Sequence, residues 1–318
     1  MLDRTRVVNQ TSITHFVLVG LTSHRRTQIA LFVAILIAYL ITLLGNLMVI
    51  LLVQLDSRLH TPMYFFLSNL SFLEMCFVSN ILPQMLAHLL AGNGRILFNC
   101  CIAQMYFGGI LVCTEGMLLG AMAYDRYIAI CCPLVYVTVM SKGRCLILAA
   151  ISWFCGFLFP GIYTHYILHL SFCGSNIINH FFCSLHMVLR LGCGDIHLIE
   201  VFISVVTVIV VLIPLCVILV SYGLIIISIV HMSSGAGRSK AFSTCSSHLV
   251  VVTMFYGSLL GLYLKPRSGA DSSYDKHVAV FYVMITPLLN PVIYTLRNKD
   301  VHAAVAKVLR RGFAEQNS

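Results

Sequence analysis

Residues Ile29–Leu55 read IALFVAILIAYLITLLGNLMVILLVQL, an apolar run without a single charge. About 20 such residues suffice for a helix to cross the hydrocarbon core of a bilayer. Six further runs follow, at Pro62–Leu90, Cys101–Ile130, Arg144–Ile167, Ile196–Val230, Ala241–Leu264 and His277–Leu296. Their length predicts helices, since barrel strands would be about 9–11 residues of alternating polarity. Composition agrees. The chain has 20 basic and 11 acidic residues among 318, too few to clothe a soluble protein of this size, and 59% of it is hydrophobic. A soluble enzyme, a disordered chain and a small disulfide-stapled secreted domain are thereby excluded. The expected fold is an all-α membrane protein, a seven-helix bundle.

Seven spans occupy about half of the chain, leaving tails and loops and no room for a second domain. The expected organisation is a tail over 1–28, a membrane domain over 29–296 and a second tail over 297–318. That last tail places Arg297, Lys299, Lys307, Arg310 and Arg311 among Val301, Val305, Val308 and Leu309. The pattern suits a short amphipathic helix on an anionic lipid surface. With the N-terminus outside, 11 basic residues fall on the inner side and 9 on the outer, a small positive-inside bias. Asn9-Gln10-Thr11 is a glycosylation acceptor, which also favours an outer N-terminus. Met1–Ser12 has no apolar core of a cleavable leader, so the first span is expected to direct insertion. Asn69-Leu70-Ser71 matches the acceptor pattern inside a span, where it cannot be used.

The longest outer loop, about Leu168–Asp195, carries Cys173, Cys183 and Cys193 at ten-residue spacing, and Cys100 and Cys101 begin the third span. Two bridges are expected in an oxidising compartment. The arrangement favoured is Cys101–Cys183 with Cys173–Cys193, although spacing does not determine connectivity. His165 and His169 share a helical face, but spacing supplies no third metal ligand, so they read as loop histidines.

Two acids lie deep in spans, Glu74 and Glu115, without an intramembrane Lys or Arg as partner. Such groups face the bundle interior and are satisfied by protonation, a bound cation or shared water. Asp125-Arg126-Tyr127 ends the third span with a local ion pair that a conformational change could break. Pro287 and Pro291 flank Asn290 in the seventh, freeing backbone carbonyls that an amide can satisfy at a bendable point.

Ordered along the chain stand Gly45-Asn46, then Leu59-His60-Thr61-Pro62-Met63-Tyr64-Phe65-Phe66-Leu67-Ser68, then Met122-Ala123-Tyr124-Asp125-Arg126-Tyr127-Ile128-Ala129-Ile130-Cys131. Ser221-Tyr222, Lys240-Ala241-Phe242-Ser243-Thr244-Cys245-Ser246-Ser247-His248 and Pro287-Leu288-Leu289-Asn290-Pro291-Val292-Ile293-Tyr294 complete the set. From Gly45 to about Val301 this resembles an odorant (olfactory) receptor of the tetrapod type, in the rhodopsin-like G-protein-coupled class. The resemblance implies a receptor in the ciliary plasma membrane that activates a stimulatory olfactory G protein and raises cAMP, with membrane lipids and trafficking chaperones as further partners and no nucleic acid. It supports the same disulfide pairing. It implies a cation-associated acidic pair at Glu74 and Glu115, with Na+ as the ion and no other cofactor. It also implies a switch in which Arg126 is held by Asp125 and by the sixth-span end from Lys240 to His248, then swings toward Tyr222 and Tyr294; Tyr127, Asn290 and Pro291 belong to the same machinery. Cys132 replaces the family's usual His, Val135 a commonly basic or larger residue, and Glu74 the usual Asp.

The resemblance places the ligand between the third, fifth, sixth and seventh spans. Carried to this chain, the lining is Met105, Gly108, Gly109, Val112 and Cys113; Val206, Thr207 and Val210; Tyr256, Leu259, Leu260 and Tyr263; Val280 and Val283, with His186 from the loop. Residues 105, 108, 109 and 112 do share one helical face. So apolar a lining predicts small, neutral, hydrophobic volatiles. An ion- or proton-coupled transporter using Glu74 and Glu115 is the rival reading, but it would call for broken helices in paired halves, and the chain shows no such pairing.

Overall fold

The structure is a computed structural model that describes residues 13–172, 175–193, 196–232, 235–263, 272–296, 301, 303 and 304. Seven long helices form the body. They are α1 (Arg25–Leu55), α2 (Pro62–Ala91), α3 (Phe98–Cys131), α4 (Lys142–Leu168), α5 (His197–Thr207 continuing as Ile213–His231), α6 (Gly235–Tyr263) and α7 (Ser272–Val280 continuing as Thr286–Leu296). Single π turns, Val208–Leu212 and Phe281–Ile285, interrupt α5 and α7.

Local chemistry sets the helix ends. Pro62 opens α2, where its missing N–H costs nothing. Gly92 closes α2 in the left-handed region at φ 66°, and its N–H returns to the His88 carbonyl. The helix α6 begins six residues before the expected apolar run, because backbone hydrogen bonding continues through Gly235–Lys240 where hydrophobicity does not. Its apolar stretch, Cys245–Gly261, is therefore shorter than that of the other six helices, each long and apolar enough to span a bilayer. Likewise α1 starts at Arg25, ahead of the expected 29.

The bundle is turned outward in the manner of a membrane protein. Leu44, Phe154 and Leu219 lie about two-thirds exposed on its flanks, while Asn46, Glu74, Glu115 and Asn290 are buried. A lipid-facing surface and a polar interior explain that inversion. The central helix is α3, which packs on α2, α4, α5 and α6. Small residues permit the close approaches: a Cβ on Gly120 would stand 3.1 Å from Pro214 of α5, and one on Gly45 3.3 Å from Pro291 of α7. Asn69 accepts a hydrogen bond from the Trp153 indole at 3.3 Å, so the unused acceptor motif fastens α2 to α4.

One end of the bundle carries a small sheet of order β2–β1–β4, in which β1 (His15–Leu18) pairs antiparallel with β2 (Arg95–Leu97) and parallel with β4 (Ile177–Ile178). A second pair joins β3 (Ser171–Phe172) to β5 (Gly192–Cys193). Part of the expected N-terminal tail is thus a strand, whose Phe16 and Leu18 are buried against Cys101, Ile167 and Cys183. Cys101 and Cys183 are disulfide-bonded. Cys193 is disulfide-bonded as well, and Cys173 lies outside the described residues. Cys100 is a free, exposed thiol.

Candidate functional site

Beneath the disulfide-bearing end lies a cavity of about 290 Å3. From α3 it is walled by Met105, Gly108, Gly109, Val112 and Cys113, and from α5 by Val206, Thr207 and Val210, joined by Ile203 and Val211. Leu259 and Phe255 come from α6, and His186 from the loop. The helical spacing of the α3 set explains its common face, since the i, i+3, i+4, i+7 positions project together.

Four expected residues do not line this cavity as anticipated. In α6 the wall is Phe255 and Leu259, whereas Tyr256 is turned away and its phenol donates to the Gly116 carbonyl at 3.3 Å. Leu260 is off the wall too, and the Tyr263 side chain lies outside the described residues. In α7 the wall is Asp275, Ala279 and Tyr282, not Val280 and Val283, which pack in the hydrophobic core. The reason is helical phase. A single residue turns the face by about 100°, so an anticipated face displaced by one position becomes the packed face.

The lining is also more polar than the sequence suggests. Asn80, Gln104, His180, Arg190 and Asp275 all reach it. Gln104 and Asn80 grip each other reciprocally: each side-chain amide donates to the other's backbone carbonyl, at 3.0 and 2.9 Å. The Gln104 amide oxygen in turn accepts the Cys183 N–H at 2.9 Å. Polar side chains within spans are the signal that marks Asn80 and Gln104. No local pattern marks His180, which the loop folds inward. Its ring is 4% exposed, stacked on Phe181 with Phe182 edge-on. Burial, helped by Lys276, pushes it down to about 4. His165 and His169 stay in ring contact, and no cluster of three metal-ligating side chains occurs among the described residues.

Deeper, Glu74 accepts a hydrogen bond from the Asn290 amide. Glu115 is 1% exposed, and its Oε1 lacks a partner among the described residues, as does Asn290 Oδ1. Two buried oxygens with unmet valence, one on a carboxyl and one on an amide that is bonded to a second carboxyl, suit a small hard cation or a shared proton. Asn46 donates to the Pro287 carbonyl at 3.4 Å, which satisfies an acceptor just after the π turn of α7.

At the opposite end Arg126 pairs with Asp125, Nη2 to Oδ2 2.8 Å. Tyr136 donates to the other Asp125 oxygen at 2.9 Å. Burial and that carboxylate hold the Tyr136 phenol above the ordinary tyrosine range. Tyr222 is hydrogen-bonded to His248 at 2.7 Å, while the buried Tyr294 hydroxyl has no partner among the described residues. Tyr127 lies half-buried beside this set, Pro291 is buried in α7, and the Lys240 side chain falls outside the described residues. Asn9 and nearly all of 297–318 fall outside them also; Val301 and Ala304 are buried.

Similarities to known proteins agree with this geometry. The family model described as olfactory receptor matches residues 35–311. Human olfactory receptor 2D2 is 49% identical over 97% of this chain and 99% of its own length. Mouse olfactory receptor 5M5 is 47% identical over 95% of each. The crystal structure of squid rhodopsin superposes with a TM-score of 0.74 over 90% of this chain and 86% of that one, at 19% identity, so it shares the fold. The chain belongs to the olfactory receptor family, multi-pass membrane receptors of the rhodopsin-like G-protein-coupled class rather than enzymes.

Proposed function

We propose that the cavity binds small, neutral, largely hydrophobic volatiles and that occupancy activates a stimulatory, olfactory-type G protein to raise cAMP. The observation that carries this reading is a cavity enclosed by α3, α5, α6 and α7 at one end and the Arg126–Asp125 pair at the other, both on α3. A wall dominated by Val206, Val210, Leu259 and Phe255 stabilises a guest mainly by burial, at about 25 cal/mol per Å2 of apolar area. For about ten heavy atoms, ligand efficiency sets micromolar or weaker affinity. In this reading the disulfide-bearing end and Asn9, as a glycan acceptor, face outward, and the Asp125 end meets the G protein. Lipids, Na+ at Glu74 and Glu115, chaperones and residence in olfactory cilia complete the proposal. The test is cAMP in cells expressing the chain with the olfactory G protein, against a panel of neutral and acidic volatiles. A saturable response to a neutral volatile, lost in Arg126→Ala at equal surface staining, is expected; agonism by acids alone would refute the neutral-ligand reading.

A further inference from the structure

The cavity has one polar end, built where α2, α3 and the disulfide loop meet. The reciprocal bonds of Asn80 and Gln104, and the bond from Cys183 N–H to Gln104, hold it rigid. Asn80 commits its amide N–H to that clamp, and among the described residues its amide oxygen accepts no hydrogen bond. Three residues before Cys183, the His180 ring lines the same cavity, and its Nδ1 is buried without a partner among the described residues. A half-turn of the ring exchanges Nδ1 with Cδ2, so its nitrogen is free to meet a guest. Its low proton affinity keeps it neutral, with one nitrogen a donor and the other an acceptor.

An acceptor oxygen and a ring N–H that line one cavity are together complementary to one functional group above others. We propose that this end of the cavity is a hydroxyl subsite: a ligand alcohol donates its proton to the Asn80 amide oxygen and accepts from the His180 ring, with its hydrocarbon tail against Val206, Val210 and Leu259. The inference rests on the cavity being the ligand site, as in the reading above. A ketone can use only the His180 donor and leaves Asn80 unmet; an alkane uses neither. Arg190 and Asp275 also reach the cavity, but Arg190 is exposed and keeps access to water; Asn80 and Asp275 are half-buried alike, so the discrimination rests on the buried, unmet His180 ring.

The experiment measures thermal stabilisation of the full chain in lipid nanodiscs by 1-octanol, 2-octanone and octane, compared at equal bilayer concentration. The expected result is stabilisation by 1-octanol at a concentration about tenfold lower than by the other two. His180→Phe, which keeps the ring stack, should abolish that preference, and His180→Gln should restore part of it. Equal potency of all three on the unmodified chain, or an unchanged preference in His180→Phe, would overturn the subsite while leaving the cavity reading intact. Stabilisation by none of the three would overturn the cavity reading, and the subsite with it. If His180→Phe does not fold, the series on the unmodified chain decides alone.

Discussion

Asp125 shows how one buried side chain is kept in place by two neighbours of different kinds. Arg126 neutralises it and Tyr136 satisfies its second oxygen. Removing the phenol hydroxyl in Tyr136→Phe should cost about 1–3 kcal/mol, because the acceptor is charged and buried. If the pair restrains the resting state, basal cAMP should rise in the same variant; a cAMP assay normalised to surface staining checks it. His180 makes a second residue-level prediction. Its proton affinity is depressed to about 4 in the folded chain, below the unfolded value of about 6.5. The unfolded state therefore binds the extra proton first, and stability falls as pH drops from about 6.5 toward 4, by up to about 3 kcal/mol. The thermal midpoint should fall across that window in the unmodified chain, and fall less in His180→Phe.

Helix faces were legible in part, and the misses have a common cause. On α3 the positions 105, 108, 109, 112 and 113 reach the cavity as their spacing requires. On α7 the wall, at 279 and 282, is one residue out of phase with the expected set; on α6 Leu259 lines it as expected, while Phe255 stands in place of the expected Tyr256. Where nearly every residue is apolar, hydrophobicity does not say which side of a helix faces a neighbour, a guest or lipid, and periodicity loses its signal. Small residues speak more clearly, because they matter only where backbones touch. Gly156 of α4 faces α3, and a Cβ there would lie 2.9 Å from the Ile110 carbonyl oxygen. Gly156→Val should overpack this contact, costing about 1–3 kcal/mol, with a lower thermal midpoint and reduced surface staining. Gly143, whose added Cβ would meet nothing within 4 Å, should tolerate alanine in the same assays.

At the scale of the molecule, the Cys101–Cys183 bridge joins residues 82 apart and ties the loop over the cavity to α3. The chain-entropy relation gives about 4.5 kcal/mol for a loop of that length, an upper figure here because helices already inserted in a bilayer limit the unfolded state. Cys101→Ser should therefore lower surface staining and the thermal midpoint, whereas Cys100→Ser, at a free exposed thiol, should change neither. The membrane class, the seven helices and the polar machinery at Glu74, Asp125, Arg126 and Asn290 follow from the sequence alone, since uncharged runs of that length and ionisable groups within them have few physical solutions. The cavity's polar end does not. Asn80, Gln104 and His180 are 24 and 76 residues apart in succession, and they meet only because α2 packs on α3 and the disulfide pulls the loop inward. Local sequence encodes which residues a helix contains and how they are spaced around it. Which of those faces turn toward the same space is decided by packing between segments distant in the chain.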